Sequence, residues 1–404
     1  MLSTQLRATA MVALLAVFML SAALAHSHGH DHDHGHDHDH HGVVGTRLLV
    51  SDANSNAVYV VDLASGQVLG TFTTPGQGSR IYASPSGQYG FAIDRDANRV
   101  TVIHSGLSLV DHGDHADLVQ ETPYVLVTMN VGRQPSHLFA HGHDIAIFND
   151  QDGTIAILDE RLLGLTLDFT EIVTAQPDHG ALAIIGEVVL SGHLNLGRVD
   201  AYTRNGNLIT SFEGCPRLHG KAVLGQVAAF GCSDGVLLVA LENGELRATK
   251  LDNPPASPEG ARVGMLSAHY ESPIMVGNFG AGLALIDPVA QTLTTVALPS
   301  LPLAIDFDPH GEHIVVLGRD GFVYVLERDG EIKASLEVVA PFDPEAPRSA
   351  LAIAEAAFYV SSPATGEVLE VHFHDGKLEV ERRLKLPGAP SHLAVLALEG
   401  GKIH

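Results

Sequence analysis

The chain has 404 residues, a formal net charge of −24 and an apolar content of 45%. That apolar content is enough for a sizeable core, while the acidic balance argues against nucleic-acid binding, which needs a basic face. The chain also carries 25 histidines and no tryptophan. This composition favours metal binding over the stacking of bases or sugars.

The N-terminal segment predicts an export signal. Arg7 supplies a positive charge, residues 11–20 are apolar, and residues 23–25 read Ala-Leu-Ala, which is typical of a cleavage site. We therefore expect residues 1–25 to be a cleaved signal peptide and the mature chain to enter a bacterial periplasm or an equivalent exported space. The apolar run is too short for a typical spanning helix, and the alternative is an uncleaved membrane anchor.

Residues 26–45 are predicted to form a disordered, metal-binding tail. Up to residue 41 the segment is almost entirely His, Asp and Gly, which cannot bury apolar surface. Clustered imidazoles on a flexible chain chelate divalent metals with low selectivity. An expression tag is the alternative, but the tract directly follows a natural-looking signal. The predicted tail ligands are His26, His28, His30, His32, His34, His36, His38, His40 and His41.

Residues 46–404 are predicted to be one β-propeller. Short β-branched runs alternate with turns rich in Asn, Asp and Gly, which is typical of β-hairpins. The unit repeats at intervals of about 40–45 residues, as expected for four-stranded propeller blades. One longer interval contains an insertion at residues 105–123. The repeat predicts an all-β fold with eight blades, and seven blades is the alternative.

The predicted ring closes through its two ends. The last inner strand, which begins at Pro390, has no outer strands of its own in the remaining sequence. We expect it to pair with the strands that follow Thr46 and so complete one blade.

Cys215 and Cys232 are the two cysteines of the chain. An exported compartment favours a disulfide between them. The surrounding residues read as two antiparallel strands around a turn at residues 224–225, and in that register the cysteines face each other. The alternative is a thiolate metal pair with His219.

Three consecutive predicted blades place a histidine at the start of the inner strand, namely His137, His179 and His219. Because inner strands surround the central channel, these side chains should share one rim. His392 is a fourth such residue, and His193 lies in a connection on the same rim. Zinc is bound by histidine nitrogen, usually tetrahedrally, so the ring predicts a metal site. A ring of ordinary polar channel residues is the alternative.

The insertion is a second candidate metal site. Residues 111–117 contain His112, His115 and three carboxylates, and His104 precedes them. The insertion joins the third and fourth strands of its blade, so it should emerge on the rim opposite the histidine ring. The turn at His141 opens on that same rim, and the segments could converge on one ion. The alternative is a solvated acidic loop.

The sequence resembles the AztD-type periplasmic zinc chaperones, which serve a zinc-importing ABC transporter. The resemblance covers essentially the whole chain and rests on the export signal and tail, residues 111–115, residues 135–137, residues 145–150, residues 215–220 and residues 230–235. It implies a β-propeller that carries zinc in the periplasm and transfers it to a separate solute-binding protein. The ligand predictions above come from the repeat geometry alone.

The leading prediction is a zinc-binding metallochaperone rather than an enzyme, with the solute-binding protein of a zinc ABC importer as its partner. Zinc is preferred to copper because the sequence has no Met-rich cluster or blue-copper ligand set, although imidazole also suits copper and nickel. A propeller scaffold whose tail merely buffers metal is one alternative. The other is a metal-dependent hydrolase with an open coordination position.

Overall fold

The computed structural model describes residues 43–113, 116–255 and 257–400. The predicted signal peptide, the tail histidines and His115 lie outside the described residues. None of the helical structure in the described ranges is long and apolar enough to cross a bilayer.

The described residues form 34 strands and one short 3₁₀ helix at Glu160–Leu162. In chain order the strands are β1 (Val43–Asp52), β2 (Ala57–Asp62), β3 (Val68–Thr73), β4 (Arg80–Ala83), β5 (Tyr89–Asp94), β6 (Arg99–His104), β7 (Leu107–Asp111), β8 (Ala116–Gln120), β9 (Tyr124–Met129), β10 (Pro135–His141), β11 (Asp144–Asn149), β12 (Thr154–Asp159), β13 (Thr170–Val173), β14 (Gly180–Ile185), β15 (Val188–His193), β16 (Arg198–Thr203) and β17 (Leu208–Glu213). They continue as β18 (Lys221–Leu224), β19 (Val227–Cys232), β20 (Gly235–Glu242), β21 (Glu245–Asp252), β22 (Leu266–Ala268), β23 (Met275–Asn278), β24 (Gly282–Asp287), β25 (Thr292–Ala297), β26 (Pro302–Phe307), β27 (His313–Gly318), β28 (Phe322–Glu327), β29 (Ile332–Glu337), β30 (Leu351–Ile353), β31 (Phe358–Ser362), β32 (Glu367–His374), β33 (Lys377–Lys385) and β34 (Pro390–Gly400).

These strands build eight four-stranded antiparallel blades. Blade 1 has the order β3-β2-β1-β34 and blade 2 the order β4-β5-β6-β9. Blades 3 to 8 each use four consecutive strands, beginning at β10, β14, β18, β22, β26 and β30. The predicted eight-bladed propeller is confirmed, and the seven-bladed alternative is excluded. We call the rim at which the inner strands begin the entry rim.

The ring closes in blade 1, where the two ends of the described chain meet. Strand β34 pairs with β1 in antiparallel register from Val43 opposite Gly400 to Asp52 opposite Pro390. The N-terminal segment thus supplies three strands of this blade and the C-terminal segment supplies the inner strand. The predicted closure is confirmed.

The burial of the strands explains their sequence patterns. The middle strands β5 and β15 are buried along their whole length, and β11 is buried from its second residue on, because both of their faces pack on neighbouring blades. The outer strands β3 and β25 contain only exposed and partly buried residues, since they lie at the solvent edge of their blades. In the described ranges, eight core clusters each combine residues of two adjacent blades. Each blade is therefore stabilised by its neighbours.

The insertion forms a two-stranded hairpin, β7–β8, between the third and fourth strands of blade 2. It lies beside the start of β1, because a Cβ atom at Gly45 would come within 2.8 Å of Leu118 and 2.9 Å of Leu107. The start of β1 lies on the rim opposite the entry rim, because β1 is antiparallel to the inner strand β34. The hairpin therefore lies on that opposite rim, as predicted from its place between the third and fourth strands of its blade.

Cys215 and Cys232 form a disulfide, with Cα atoms 4.9 Å apart. Both residues are fully buried in the core between blades 4 and 5. The bond ties the loop that precedes β18 to the end of β19 in the same blade. The predicted pairing is confirmed, which excludes the thiolate metal pair.

Breaking this disulfide should lower the free energy of unfolding by about 3 kcal/mol. The bond closes a loop between residues 17 positions apart, and a loop of that length reduces the conformational entropy of the unfolded chain by an amount worth roughly 3 kcal/mol. Urea unfolding with and without a thiol reductant measures the difference. A Cys215→Ala/Cys232→Ala variant is the matched control, because the reductant should have no further effect on it. Equal unfolding midpoints for the oxidised and reduced wild-type chain would contradict the prediction.

Candidate metal centre

Three histidines from blades 3, 4 and 5 meet at the entry rim. His137 is the third residue of β10, His179 immediately precedes β14, and His219 lies two residues before β18. Each is partly buried. Successive inner strands lie side by side around the channel, so residues about 40 positions apart in the sequence become neighbours.

The three imidazoles are close enough to share one ion. The Nε2 atoms of His137 and His179 are 2.9 Å apart. The ring centroids are separated by 4.7 Å for His137 and His179, 5.5 Å for His179 and His219, and 5.9 Å for His137 and His219. One ligand atom of each residue lies within 4.8 Å of the others. Among the described residues, this is the one group of three or more His, Cys, Asp or Glu side chains with that property.

His179 is oriented by a carboxylate from the preceding blade. Its Nδ1 lies 2.7 Å from Oδ2 of Asp150, so Nδ1–H donates and the carboxylate accepts. Asp150 is only 6% exposed and also accepts hydrogen bonds from Ser136 and Arg95. A carboxylate bound to the far nitrogen of a metal-ligating histidine fixes the tautomer and raises ligand basicity. Asp150 therefore leaves the His179 Nε2 lone pair directed at the other histidines.

Asp150 remains ionised in this environment. Burial raises its pKa, but the hydrogen bonds from His179 and Ser136 outweigh burial, and the pKa lies below its ordinary value. The negative charge is thus available to stabilise a cation bound through His179.

His219 is oriented by the backbone of blade 6. Its Nδ1 lies 2.8 Å from the carbonyl oxygen of Gly264, so Nδ1–H donates and Nε2 keeps its lone pair. The loop that carries His219 packs tightly on β19, because a Cβ atom at Gly231 would lie 2.7 Å from the His219 carbonyl oxygen. The nearby Cys215–Cys232 bond holds the same loop. The backbone of His219 is therefore tethered on both sides.

His137 needs a change of tautomer before it can bind a metal. In neutral His179 the Nε2 atom is an acceptor, since Nδ1 donates to Asp150. The hydrogen bond of 2.9 Å between the two rings is then donated by His137 Nε2–H. Moving that proton to Nδ1 of His137 frees the third lone pair without adding charge to the site.

Burial keeps the site neutral. It lowers the pKa of His137 to about 3, with further lowering from His179 and Arg80. Burial is also the main cause of the lowered pKa of His219, although the bond to Gly264 opposes it. Neutral imidazole is the form that ligates metal, so both side chains are ready to bind at neutral pH.

The loops that lead to two of the ligands contain residues in the left-handed backbone region. Gln134 has φ 55° and Arg217 has φ 52°, a conformation that is uncommon for side chains other than glycine, Asn or Asp. The Gln134 amide donates to Asn98, and the Arg217 carbonyl oxygen accepts from Arg262. Neighbouring blades thus hold these loops in place, as is common at functional sites.

A cavity of about 380 Å³ covers the three histidines. Its charged lining residues are Arg80, Lys221 and Arg348, and the remaining lining residues are apolar side chains and glycines. A larger cavity of about 590 Å³ at the edges of blades 5 and 6 has no histidine in its lining. The channel mouth is therefore the better candidate for metal chemistry.

The residues present fit tetrahedral zinc. Zinc binds histidine nitrogen at 2.0–2.1 Å, which places two nitrogens of a tetrahedral site about 3.3 Å apart. The His137 and His179 nitrogens would need to separate by about 0.4 Å from their 2.9 Å contact. Three imidazoles leave one coordination position for another ligand.

The other predicted ligands have different surroundings. His104 is buried at the end of β6, where Nδ1 accepts from the Gly106 amide at 2.9 Å and Nε2 lies 3.3 Å from the Gln88 side-chain amide. His112 Nε2 lies 3.1 Å from Asp117 on the exposed hairpin. His141 is exposed at the end of β10.

The predicted insertion site stays a prediction, because His115 is outside the described residues. Within the described ranges His104, His112 and His141 do not form a three-ligand group.

The two further rim histidines stand apart from the cluster. His392 Nδ1 lies 3.3 Å from the Ser51 hydroxyl and 3.4 Å from that of Ser391. His193 is fully buried, with Nε2 3.4 Å from Asp200. Among the described residues, neither belongs to a group of three possible metal ligands.

Sequence reasoning missed Asp150, the Gly264 carbonyl and the three cations. Asp150 directly follows β11, at the end of a second strand, and second strands end on the entry rim. Its position in the sequence could therefore have placed Asp150 on the entry rim. Which of the carboxylates on that rim contacts a histidine depends on contacts between blades, which the sequence does not show.

No known protein-family model matches the chain. Zinc chaperone AztD of Citrobacter koseri is 27% identical over 383 residues, which covers 90% of this chain and 89% of that protein. The resemblance to AztD is confirmed. A solved structure of Citrobacter koseri AztD has a TM-score of 0.80 at 26% identity and covers 90% of this chain and 100% of its own. The structure of apo AztD has a TM-score of 0.79 at 25% identity, with coverages of 89% and 99%.

The similarity to AztD spans the propeller rather than a single repeat, because it covers about nine-tenths of both chains. AztD is named as a chaperone and not as an enzyme. This agrees with the prediction that the present chain is not an enzyme.

The burial of neutral His137 predicts a loss of stability in acid. Its pKa of about 3 in the folded chain lies below the ordinary value of 6.5, so between these values the unfolded chain binds a proton that the folded chain does not. The stability contribution is present above the unfolded pKa and is lost as the pH falls toward the folded pKa. The free energy of unfolding should therefore decline less steeply from about pH 7 to about pH 4 in a His137→Gln variant.

Urea unfolding at several pH values, with a chelator present, measures this dependence. A His310→Gln variant is the control, because that side chain is 63% exposed and lies on the opposite rim. Parallel profiles for His137→Gln and the wild-type chain would show the prediction to be wrong.

Proposed function

We propose that this protein is an exported zinc chaperone that holds one zinc ion on His137, His179 and His219 and passes it to the solute-binding protein of a zinc importer. The observation that carries the proposal is the convergence of three imidazoles whose ligand atoms lie within 4.8 Å of one another. The similarity to zinc chaperone AztD supports the same function. In this proposal residues 1–25 direct export to the periplasm, and residues 26–42 form a weaker capturing tail, which is shorter than the predicted 26–45 because β1 begins at Val43.

The ligand set suits a carrier because two of its imidazoles are already oriented for metal binding, while the neighbouring side chains are positively charged. Asp150 and the Gly264 carbonyl orient two of the imidazoles before an ion arrives, which favours binding. Burial lowers the pKa of His137 most, and Arg80 and Lys221 lower it further; the positive potential of these two side chains also opposes a divalent cation. The result is a site that binds zinc and can still give it up to a competing set of ligands.

Transfer in this proposal proceeds by stepwise ligand exchange. The site lies at the mouth of the channel, and His179 is 33% exposed at its side chain. An acceptor can therefore occupy the remaining coordination position and then replace the imidazoles one at a time. The ion would never have to enter solvent as a free species.

Zinc titration by calorimetry tests the site. A chain starting at Val43, where β1 begins, should bind about one zinc ion, because all three proposed ligands lie in the propeller. Replacing Asp150 by Asn should weaken binding roughly 10–100-fold, the usual cost of removing an orienting partner. Replacing His137 or His179 by Ala should cost more, since a direct ligand is lost.

His310→Ala is the matched control and should bind as the wild-type chain does. Loss of all binding on removal of residues 26–42 would favour the scaffold alternative with a buffering tail. Loss of binding in a His112→Ala variant, with His137→Ala unaffected, would place the ion at the insertion instead.

Direct transfer makes a separate prediction. Zinc should pass to the acceptor protein faster when the two proteins share a solution than when a dialysis membrane separates them, because ligand exchange requires contact. The measurement is zinc in the acceptor as a function of time in both arrangements. Equal rates would mean that the ion is released to solvent first, and the chaperone proposal would then fail although the site could remain.

A further inference from the structure

The cavity above the three histidines has an unusual charge. The chain as a whole carries a formal charge of −24, yet the charged side chains that line this cavity are Arg80, Lys221 and Arg348, and no carboxylate lines it. Arg319 lies beside Arg348, because both guanidinium groups contact the Phe342 ring, at 5.0 and 5.8 Å from its centroid. Arg262 donates to the Arg217 carbonyl oxygen at 2.8 Å, in the loop that leads to His219.

These cations have no carboxylate partners in the described part of the chain. The Arg348 guanidinium donates to the Leu303 carbonyl oxygen at 3.3 Å and lies 5.8 Å from the Phe342 ring centroid. The Lys221 ammonium lies 5.1 Å from the Phe139 ring centroid. Arg80 is exposed at the start of β4. Elsewhere arginines of this protein form ion pairs, such as Arg204 with Asp144 at 2.7 Å.

Binding a divalent cation here without an anion is electrostatically unfavourable. The ion would add two positive charges to a cavity already lined by three, and Asp150 supplies one negative charge from behind His179. Like charges repel strongly where burial limits screening by water. The remaining coordination position of the metal is the place where a negative ligand removes most of this repulsion.

We propose that the cavity lined by Arg80, Lys221 and Arg348 is a carboxylate-binding subsite, in which the bound carboxylate serves as the fourth ligand of the metal held by the three histidines. This inference rests on the proposed zinc-carrying function. One carboxylate oxygen coordinates the metal and the other accepts hydrogen bonds from a guanidinium. Zinc accepts carboxylate oxygen as a ligand, and the planar guanidinium matches a carboxylate in a two-point contact.

The subsite links metal retention to ligand exchange. A carboxylate in place neutralises the cavity and strengthens metal binding, whereas its removal leaves the metal among uncompensated cations. The carboxylate is that of a small molecule in solution, which presents to the arginines the group that a guanidinium binds.

Cobalt-loaded mature protein with its tail provides the test, because tetrahedral Co²⁺ gives visible absorption bands that respond to the fourth ligand. Adding acetate should shift these bands and saturate. In an Arg80→Gln variant the acetate affinity should fall about tenfold, the usual worth of a charge-assisted hydrogen bond. Cobalt affinity without acetate should rise in the same variant, because a repelling charge has been removed.

An Arg161→Gln variant is the matched control, because Arg161 pairs with Asp159 on the opposite rim, and it should behave as the wild-type chain in both titrations.

Two results would overturn the inference. One is a tetrahedral cobalt spectrum of the wild-type chain that does not change with acetate. The other is an acetate response that is equal in Arg80→Gln and wild type. Failure of the proposed function looks different, since no tetrahedral spectrum dependent on His137 would then form at all.

Discussion

The packing of each blade against the next is the interaction on which the other features of this protein depend. Strands such as β5 and β11 are apolar on both faces. A single blade would therefore expose two apolar surfaces to water, which is energetically unfavourable. The core clusters of the described residues all span blade boundaries. A closed ring is the arrangement that buries both faces of every blade, and the pairing of β34 with β1 completes it.

The candidate metal centre is a consequence of that ring. His137, His179 and His219 come from three blades, and the last two are each oriented by a group from another blade. Asp150 of blade 3 orients His179 of blade 4, and Gly264 before blade 6 orients His219 before blade 5. Because the orienting groups are part of the blade edges, these two ligands are oriented before the ion binds. Preorganisation of this kind favours affinity, since less side-chain freedom is lost on binding.

The entry rim also carries positive charges that oppose the binding of a metal ion. Burial is the main reason that His137 stays neutral; Arg80 and Lys221 add to this effect and also repel a cation. An enzyme that retains its metal permanently has little use for such repulsion, whereas a protein that must surrender an ion benefits from it. The balance between oriented imidazoles and uncompensated cations is therefore consistent with a site built for exchange, and an anion that enters the cavity would shift that balance.

The sequence by itself was sufficient for the architecture and for the identity of the clustered residues. The period of about 40–45 residues indicated four-stranded blades, the orphan strand at Pro390 indicated ring closure, and the spacing of the cysteines indicated their pairing. Equivalent positions in consecutive repeats must lie on one rim, so the proximity of the three histidines was also predictable from spacing.

Tertiary structure decided which polar groups contact each other. It paired His179 with Asp150, placed His104 inside blade 2 with both ring nitrogens near Gly106 and Gln88, and left three cations facing the candidate site. A repeat pattern predicts where each residue lies along its strand and at which rim. It does not predict how a side chain is oriented toward the neighbouring blade. That direction depends on the packing of apolar side chains between blades, which involves residues far apart in the sequence.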